Sequence, residues 1–139
     1  MIEYHYQTEF ILDHSHKYTE WLEKVIISED HQLETVNFIF CNDDQLLAIN
    51  QDHLGHDYYT DIITFEYGEK GNVFGDVFIS VDRVEENANE LQADQEEEMR
   101  RVMCHGLLHM MGFGDKTEAE KQQMRDKENE KLRMFHVEQ

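Results

Sequence analysis

Hydrophobic and polar positions change their period several times along the chain. Ile2 to Tyr6 alternates apolar and polar residues, the two-residue period of a half-buried strand, and is read as an edge strand. From Lys17 to Ile27 the residues Tyr18, Trp21, Leu22, Val25 and Ile26 recur at helical spacing. Thr35 to Cys41 is β-branched and aromatic, as strands are. Asp43 or Asp44 is the expected cap of a short helix carrying Leu46, Leu47 and Ile49. After a polar loop around Gly55, Asp61 to Tyr67 reads as a strand. Gly68, Gly71 and Asn72 make a turn, and Asp76 to Val81 follows as its hairpin partner or near neighbour.

Beyond Asp82 the pattern is helical. Arg83 to about Glu98 is acidic, with Val84, Ala88, Leu91 and Ala93 as its apolar stripe, and is read as a solvated helix face. Met99 to Met111 is apolar on nearly every face, which marks a buried helix, and Gly112 and Gly114 stop it. Thr117-Glu-Ala-Glu120 is a capping box opening a last helix with Met124, Leu132 and Met134. With no repeat and no linker, residues 1–139 read as a single α+β domain of order βαβαββαα. The expected architecture is a small mixed sheet of about four strands packed with helices.

Composition narrows the function. The 139 residues suffice for one core, and no apolar run approaches the roughly 20 residues of a membrane span. The start MIEYHYQTEF has neither a basic nor an apolar targeting region, so a cytoplasmic location is expected. Cys41 and Cys104 form no C-x-x-C pair, which fits a reducing compartment. A net charge of −19 disfavours general binding to phosphate backbones, although half of the 12 basic residues lie between Lys116 and Arg133. Contact with a polyanion is therefore expected to be selective.

The chemistry is concentrated in His105-Gly-Leu-Leu-His109-Met-Met-Gly112-Phe-Gly-Asp115. Residues four apart on a helix are about 40° out of phase, so both imidazoles project from one face. Gly112 in a left-handed conformation would turn the chain back and let Asp115 close the site. Glu118 and Glu120 compete for that role, but Glu120 is better explained by the capping box. Three protein ligands with an open fourth position describe a catalytic zinc site, so one Zn²⁺ per chain is expected, with other divalent metals tolerated. A metal-held water, acidified from 15.7 towards about 7, would be the nucleophile. Hydrogen-bonded core histidines are the plainer alternative. Burying two imidazoles among Val102, Met103, Leu107, Leu108, Met110 and Met111 without partners would be costly, which favours the metal.

The spacing overlays the metzincin pattern H-E-x-x-H-x-x-G-x-x-H, with two departures. Gly106 stands where the protease has its general-base Glu, and Asp115 replaces the third His. The segment instead resembles the YbeY family of bacterial endoribonucleases, signature H-G-x-L-H-x-x-G-x-D-H, matching at His105, Gly106, Leu108, His109 and Gly112. Asn50 and Asp57-Tyr-Tyr-Thr60-Asp61-Ile-Ile-Thr64-Phe65 are similar to the family's upstream motif, and Gly75-Asp76 to its G-D-I-x-I strand. The resemblance implies a metal-dependent endoribonuclease acting on single-stranded RNA. It further implies small-subunit (16S) ribosomal RNA 3′-end maturation and ribosome quality control. The implied partners are ribosomal RNA, the small subunit and its associated proteins, with no DNA and no membrane.

Three positions depart from the family: Asp115 for His with Gly114 before it, Leu54 for a loop Arg, and Glu66 for a Pro. His53 and His56 are the nearest substitutes for the missing cation, as catalytic candidates or as loop surface. Cys104 points about 100° from its neighbouring ligand and is expected in the core. Thr60 and Asp61 either support the metal or cap the strand, and Asp76 either orients a ligand imidazole or makes a turn. Two rivals remain: a metallopeptidase-like hydrolase, and a ribosome-associated binding protein with a structural metal.

Overall fold

The structure, a computed structural model, describes residues 1–137, with side chains through Phe135. Four strands form one mixed sheet in the order β1-β2-β4-β3: β1 Ile2–Tyr6, β2 Gln32–Cys41, β3 Ile62–Glu66 and β4 Asn72–Ser80. β1 runs parallel to β2 and β2 parallel to β4, while β3 is antiparallel to β4. β1 is thus an edge strand, as its alternation suggested, and β3 is the other edge.

Five helices complete the described residues: α1 Ser15–Ser28, α2 Asp43–Leu54, α3 Val81–Leu91, α4 Gln95–Met110 and α5 Glu118–Val137. Together with the sheet they form a single α+β domain. All five apolar residues of the α1 stripe are buried. Asn42, rather than Asp43 or Asp44, caps α2: its side chain accepts from Gln45 N at 2.8 Å while Gln45 Oε1 accepts from Asn42 N at 2.9 Å. The two aspartates occupy the first turn instead, where the helix dipole favours them.

The order is βαβαββααα, one helix more than the coarse reading, because Arg83 to Met111 is interrupted. Gln92 takes a left-handed conformation that ends α3, and the Asp94 carboxylate accepts from Glu97 N to begin α4. Leu91 lies past the buried stripe and is exposed, whereas Val84 and Ala88 are buried.

α2 covers one sheet face through Leu46, packed with Cys41 and Ile63. The larger core lies on the other face, where Val36, Phe38, Phe40, Val77 and Ile79 meet α1 and α4, with α5 packed outside them. α4 comes close to the sheet at Gly106. A Cβ there would stand 3.0 Å from Ile62 Cδ1 and 3.1 Å from Val77 Cγ1. That contact holds His105 and His109 beside β3.

Candidate metal centre

His105 is the anchored member of the histidine pair. Its Nδ1 lies 2.7 Å from Glu128 Oε2. A carboxylate only accepts, so the ring donates its Nδ1–H and a neutral His105 keeps the Nε2 lone pair free. Glu128 is buried and is itself held by Arg101, whose Nη1 donates to Oε1 at 2.9 Å and whose Nη2 donates to Asn129 at 2.8 Å. Burial opposes the charge on Glu128, but the hydrogen bonds from His105 and Arg101 outweigh it and lower its pKa. Burial likewise opposes a charged His105, yet the Glu128 hydrogen bond and charge, with Asp115 and Asp61, raise its pKa above the ordinary 6.5.

The free edge of His105 faces Asp115: Nε2 stands 3.7 Å from Oδ2. Two donors on a tetrahedral zinc with bonds of 2.0–2.2 Å lie roughly 3.3 Å apart, so the pair is close to a shared-ion separation. Asp115 reaches there because α4 ends as the glycine spacing suggested. Gly112 has φ 101°, its N–H donates to His109 O at 3.1 Å, and Phe113 N donates to Leu108 O at 3.1 Å. His109 shares a cavity of about 430 Å³ with His105, Asp115, Thr64, Lys116 and Glu120, but its Nε2 is turned to Glu66, 3.9 Å from Oε2. Among the described residues no three His, Cys, Asp or Glu side chains already converge tightly enough to hold an ion. Two of the three expected donors face each other, and the half-exposed His109 lines the same cavity with its Nε2 towards Glu66. The donor chemistry, two imidazoles and a carboxylate with one imidazole fixed from behind, fits zinc.

Of the competing carboxylates, Glu120 lines this cavity but is engaged by backbone, and Glu118 lies outside it. Glu120 closes the capping box: its Oε1 accepts from Thr117 N at 3.0 Å, and Thr117 Oγ1 accepts from Glu120 N at 3.1 Å. Glu118 is almost fully exposed and faces Lys121 at 4.0 Å. Asp76 accepts from Asn37 at 3.1 Å and from Tyr67 at 2.9 Å, so the orienting place behind His105 belongs to Glu128. Sequence reasoning missed Glu128 because it lies on a different helix, in a charge-rich stretch where one Glu resembles the next.

A second cavity, about 420 Å³, shares Ile62, His105 and Asp115 with the first and extends to Asp61, Glu98 and Arg125. Asn50 delivers this wall. Its Nδ2 donates to Tyr58 O at 2.9 Å and its carbonyl accepts from His56 N at 3.1 Å, folding the loop that carries Thr60 and Asp61. Burial raises the pKa of Asp61, despite the nearby His105, and of Glu98, despite Arg101 and Arg125. His53 and His56 are exposed and line neither cavity. His53 packs edge-on against Phe65, and His56 stacks on Tyr58 with its Nδ1 3.1 Å from the phenol oxygen. Leu54, at the end of α2, is also exposed. Cys41 and Cys104 are buried free thiols; burial pushes Cys41 up to about 12 and Cys104 further still. No helix among the described residues is long and apolar enough to cross a membrane.

A family model described as Endoribonuclease YbeY matches residues 2–136. The chain belongs to the YbeY family. A YbeY relative named Endoribonuclease YbeY, from Flavobacterium johnsoniae, is 48% identical over 139 residues, covering 100% of both chains. Another of that name, from Cytophaga hutchinsonii, is 45% identical over 90% of this chain and 88% of its own. A Thermotoga maritima protein, TM1509, known from its solution structure, shares the fold with a TM-score of 0.72 at 27% identity, over 99% of this chain and 91% of its own. Within the YbeY assignment, Gly106 acquires a packing reason as well. A side chain at that position would crowd the ends of Ile62 and Val77, which would have to give way to admit the protease's Glu.

Proposed function

We propose that the chain is a metal-dependent, single-strand-specific endoribonuclease whose zinc is held by His105, His109 and Asp115. One observation carries this reading: the Glu128 hydrogen bond leaves His105 Nε2 facing Asp115 across 3.7 Å, beside an open cavity. When bound, the ion supplies Lewis acidity at the scissile phosphate and acidifies water. The residues' own work is to hold that centre rigidly. Arg101 fixes Glu128, Glu128 fixes the His105 ring, and the Gly112 turn brings in Asp115.

Hydrolysis joins a water oxygen to phosphorus, breaks one ester bond and protonates the leaving oxygen. The charge that develops on the phosphoryl group needs cations, which the family's loop arginine would supply and Leu54 does not. Lys116 lines the first cavity and Arg125 the second, one on each side of His105 and Asp115. Exposed Tyr58 and Tyr59 precede Thr60 in the same loop, and the ring faces not covered by His56 and Arg83 can take an unpaired base, a mode suited to single strands. The sequence motifs extend the proposal to 16S ribosomal RNA 3′-end maturation, with the small ribosomal subunit as partner. His53 and His56 are assigned no step.

The test is cleavage of a labelled single-stranded RNA by the purified protein, before and after chelation and after zinc is restored. Metal-dependent internal cleavage, with a duplex of the same sequence spared, is the expected result. Metal-dependent proteolysis of an unstructured protein with RNA left intact would overturn the substrate class.

A further inference from the structure

Glu98 is 8% exposed, lines the second cavity, and makes no side-chain hydrogen bond or ion pair among the described residues. Its place in the first turn of α4 eases the charge but leaves both oxygens unused. Its oxygens are not closed off from the cavity, so a donor entering there can reach them. The Asp61 carboxylate, on the same wall, receives a long 3.4 Å contact from Asn87 Nδ2 and a backbone hydrogen bond. The cavity therefore has acceptor capacity directly beside the His105–Asp115 pair.

The other walls restrict what can supply the donors. Arg101 and Arg125 oppose a second cation, while Asp61 and Glu98 oppose a phosphate inside the cavity. A neutral group bearing N–H donors satisfies both constraints. Arg125 is exposed and has no hydrogen bond or ion pair among the described residues, so a guanidinium at the mouth is free for an anion. Acceptors inside and a cation at the mouth match one nucleotide, base inward and phosphate outward.

We propose that this cavity receives the base next to the scissile phosphate and selects adenine or cytosine over uracil, with Glu98 accepting from the exocyclic amino group and Arg125 holding the adjoining phosphate. Carboxylates accept only, and adenine N6 and cytosine N4 carry amino donors at the position where uracil has its O4 carbonyl, leaving uracil N3–H as its sole base donor. The selection rests on the RNA-cleaving reading above and deepens it.

The experiment uses single-stranded RNAs that differ only in the nucleotide on either side of one cleaved bond, scored by kcat/KM. At one of the two positions, uracil should be about tenfold poorer than the better of adenine and cytosine. Glu98→Gln keeps the shape and adds a donor for a carbonyl oxygen, so it should bring uracil within about threefold of those two or favour it. Its thermal unfolding is measured alongside. Should that variant fail to fold, Arg125→Ala is decisive for the mouth: KM should rise about fivefold with the base ratios unchanged. Equal rates for all four bases in the wild type, wild-type ratios in Glu98→Gln, or an unchanged KM in Arg125→Ala each overturn the assignment. Absence of any RNA cleavage overturns the underlying reading instead, and with it the pocket.

Discussion

Glu128 and Lys131 stand less than one turn apart on α5, and each is a buried charge. Around Lys131 every bond closes inward. Its ammonium donates to Ser28 Oγ at 2.9 Å, Glu29 at 2.6 Å and Glu130 at 2.7 Å, three acceptors for three protons. Lys127 completes the cluster at 3.0 Å from Glu29, and α5 is tied to the end of α1. Around Glu128 the bonds lead outward. Arg101 holds the carboxylate, the carboxylate holds His105, and the far nitrogen of His105 faces Asp115 across an open cavity. A charge whose capacity is used up within the protein is structural. A chain of bonds ending in an unused lone pair beside a cavity points at a ligand.

Lys131→Met should separate the two clusters most strongly. Removing one partner of a buried pair costs about 3 kcal/mol, measured by urea unfolding, while zinc affinity should not change. Burial opposes the charge on Glu29, but the hydrogen bonds from Lys131 and Lys127 lower its pKa below the usual 4.5. A lowered carboxylate contributes stability above its unfolded pKa and loses it as pH falls through the folded value. The stability gap between wild type and Lys131→Met should therefore shrink as the pH drops below about 4.5. A gap that widened in acid would mean that Glu29 is not the group supported.

Glu128→Gln should give the smaller effect on stability and, unlike Lys131→Met, lower zinc affinity. The amide oxygen can still accept from His105 Nδ1, but the charge that raises ligand basicity is gone. Zinc affinity in a chelator competition should fall about tenfold, and the urea midpoint should fall too, because the amide NH2 would then face Arg101 Nη1, which now donates to Oε1. Equal affinities in the two proteins would reduce Glu128 to a packing residue.

What could be read from the chain follows the range of the interactions involved. The α1 stripe, the four strands and the Thr117–Glu120 box depend on neighbours a few residues away, and the sequence pattern located them, although β4 starts at Asn72 in the expected turn and ends before Val81, which opens α3. The α3–α4 break was missed because Gln92 and Asp94 carry no glycine or proline, and polar residues continue through it. The cap of α2 falls on Asn42 rather than on the expected Asp43 or Asp44 for a similar reason, since all three side chains can cap and only register decides. His105, His109 and Asp115 were legible because they lie within one helix and its turn. Glu128, Glu98 and Asp61 come from three separate segments, and only the fold places them around one cavity. The cationic surface expected from Lys116 to Arg133 is thinner than the composition suggests, because Lys127 and Lys131 are spent on Glu29.

The most direct test of the account is zinc content, with X-ray absorption at the zinc edge, for wild type, Asp115→Ala and Glu118→Ala purified alike. One zinc per chain should appear in the wild type and in Glu118→Ala, with two imidazoles and oxygen donors at about 2.0–2.2 Å. Asp115→Ala should lose most of it. Full occupancy with an unchanged ligand shell in Asp115→Ala would contradict the assignment of the third ligand and the centre built on it.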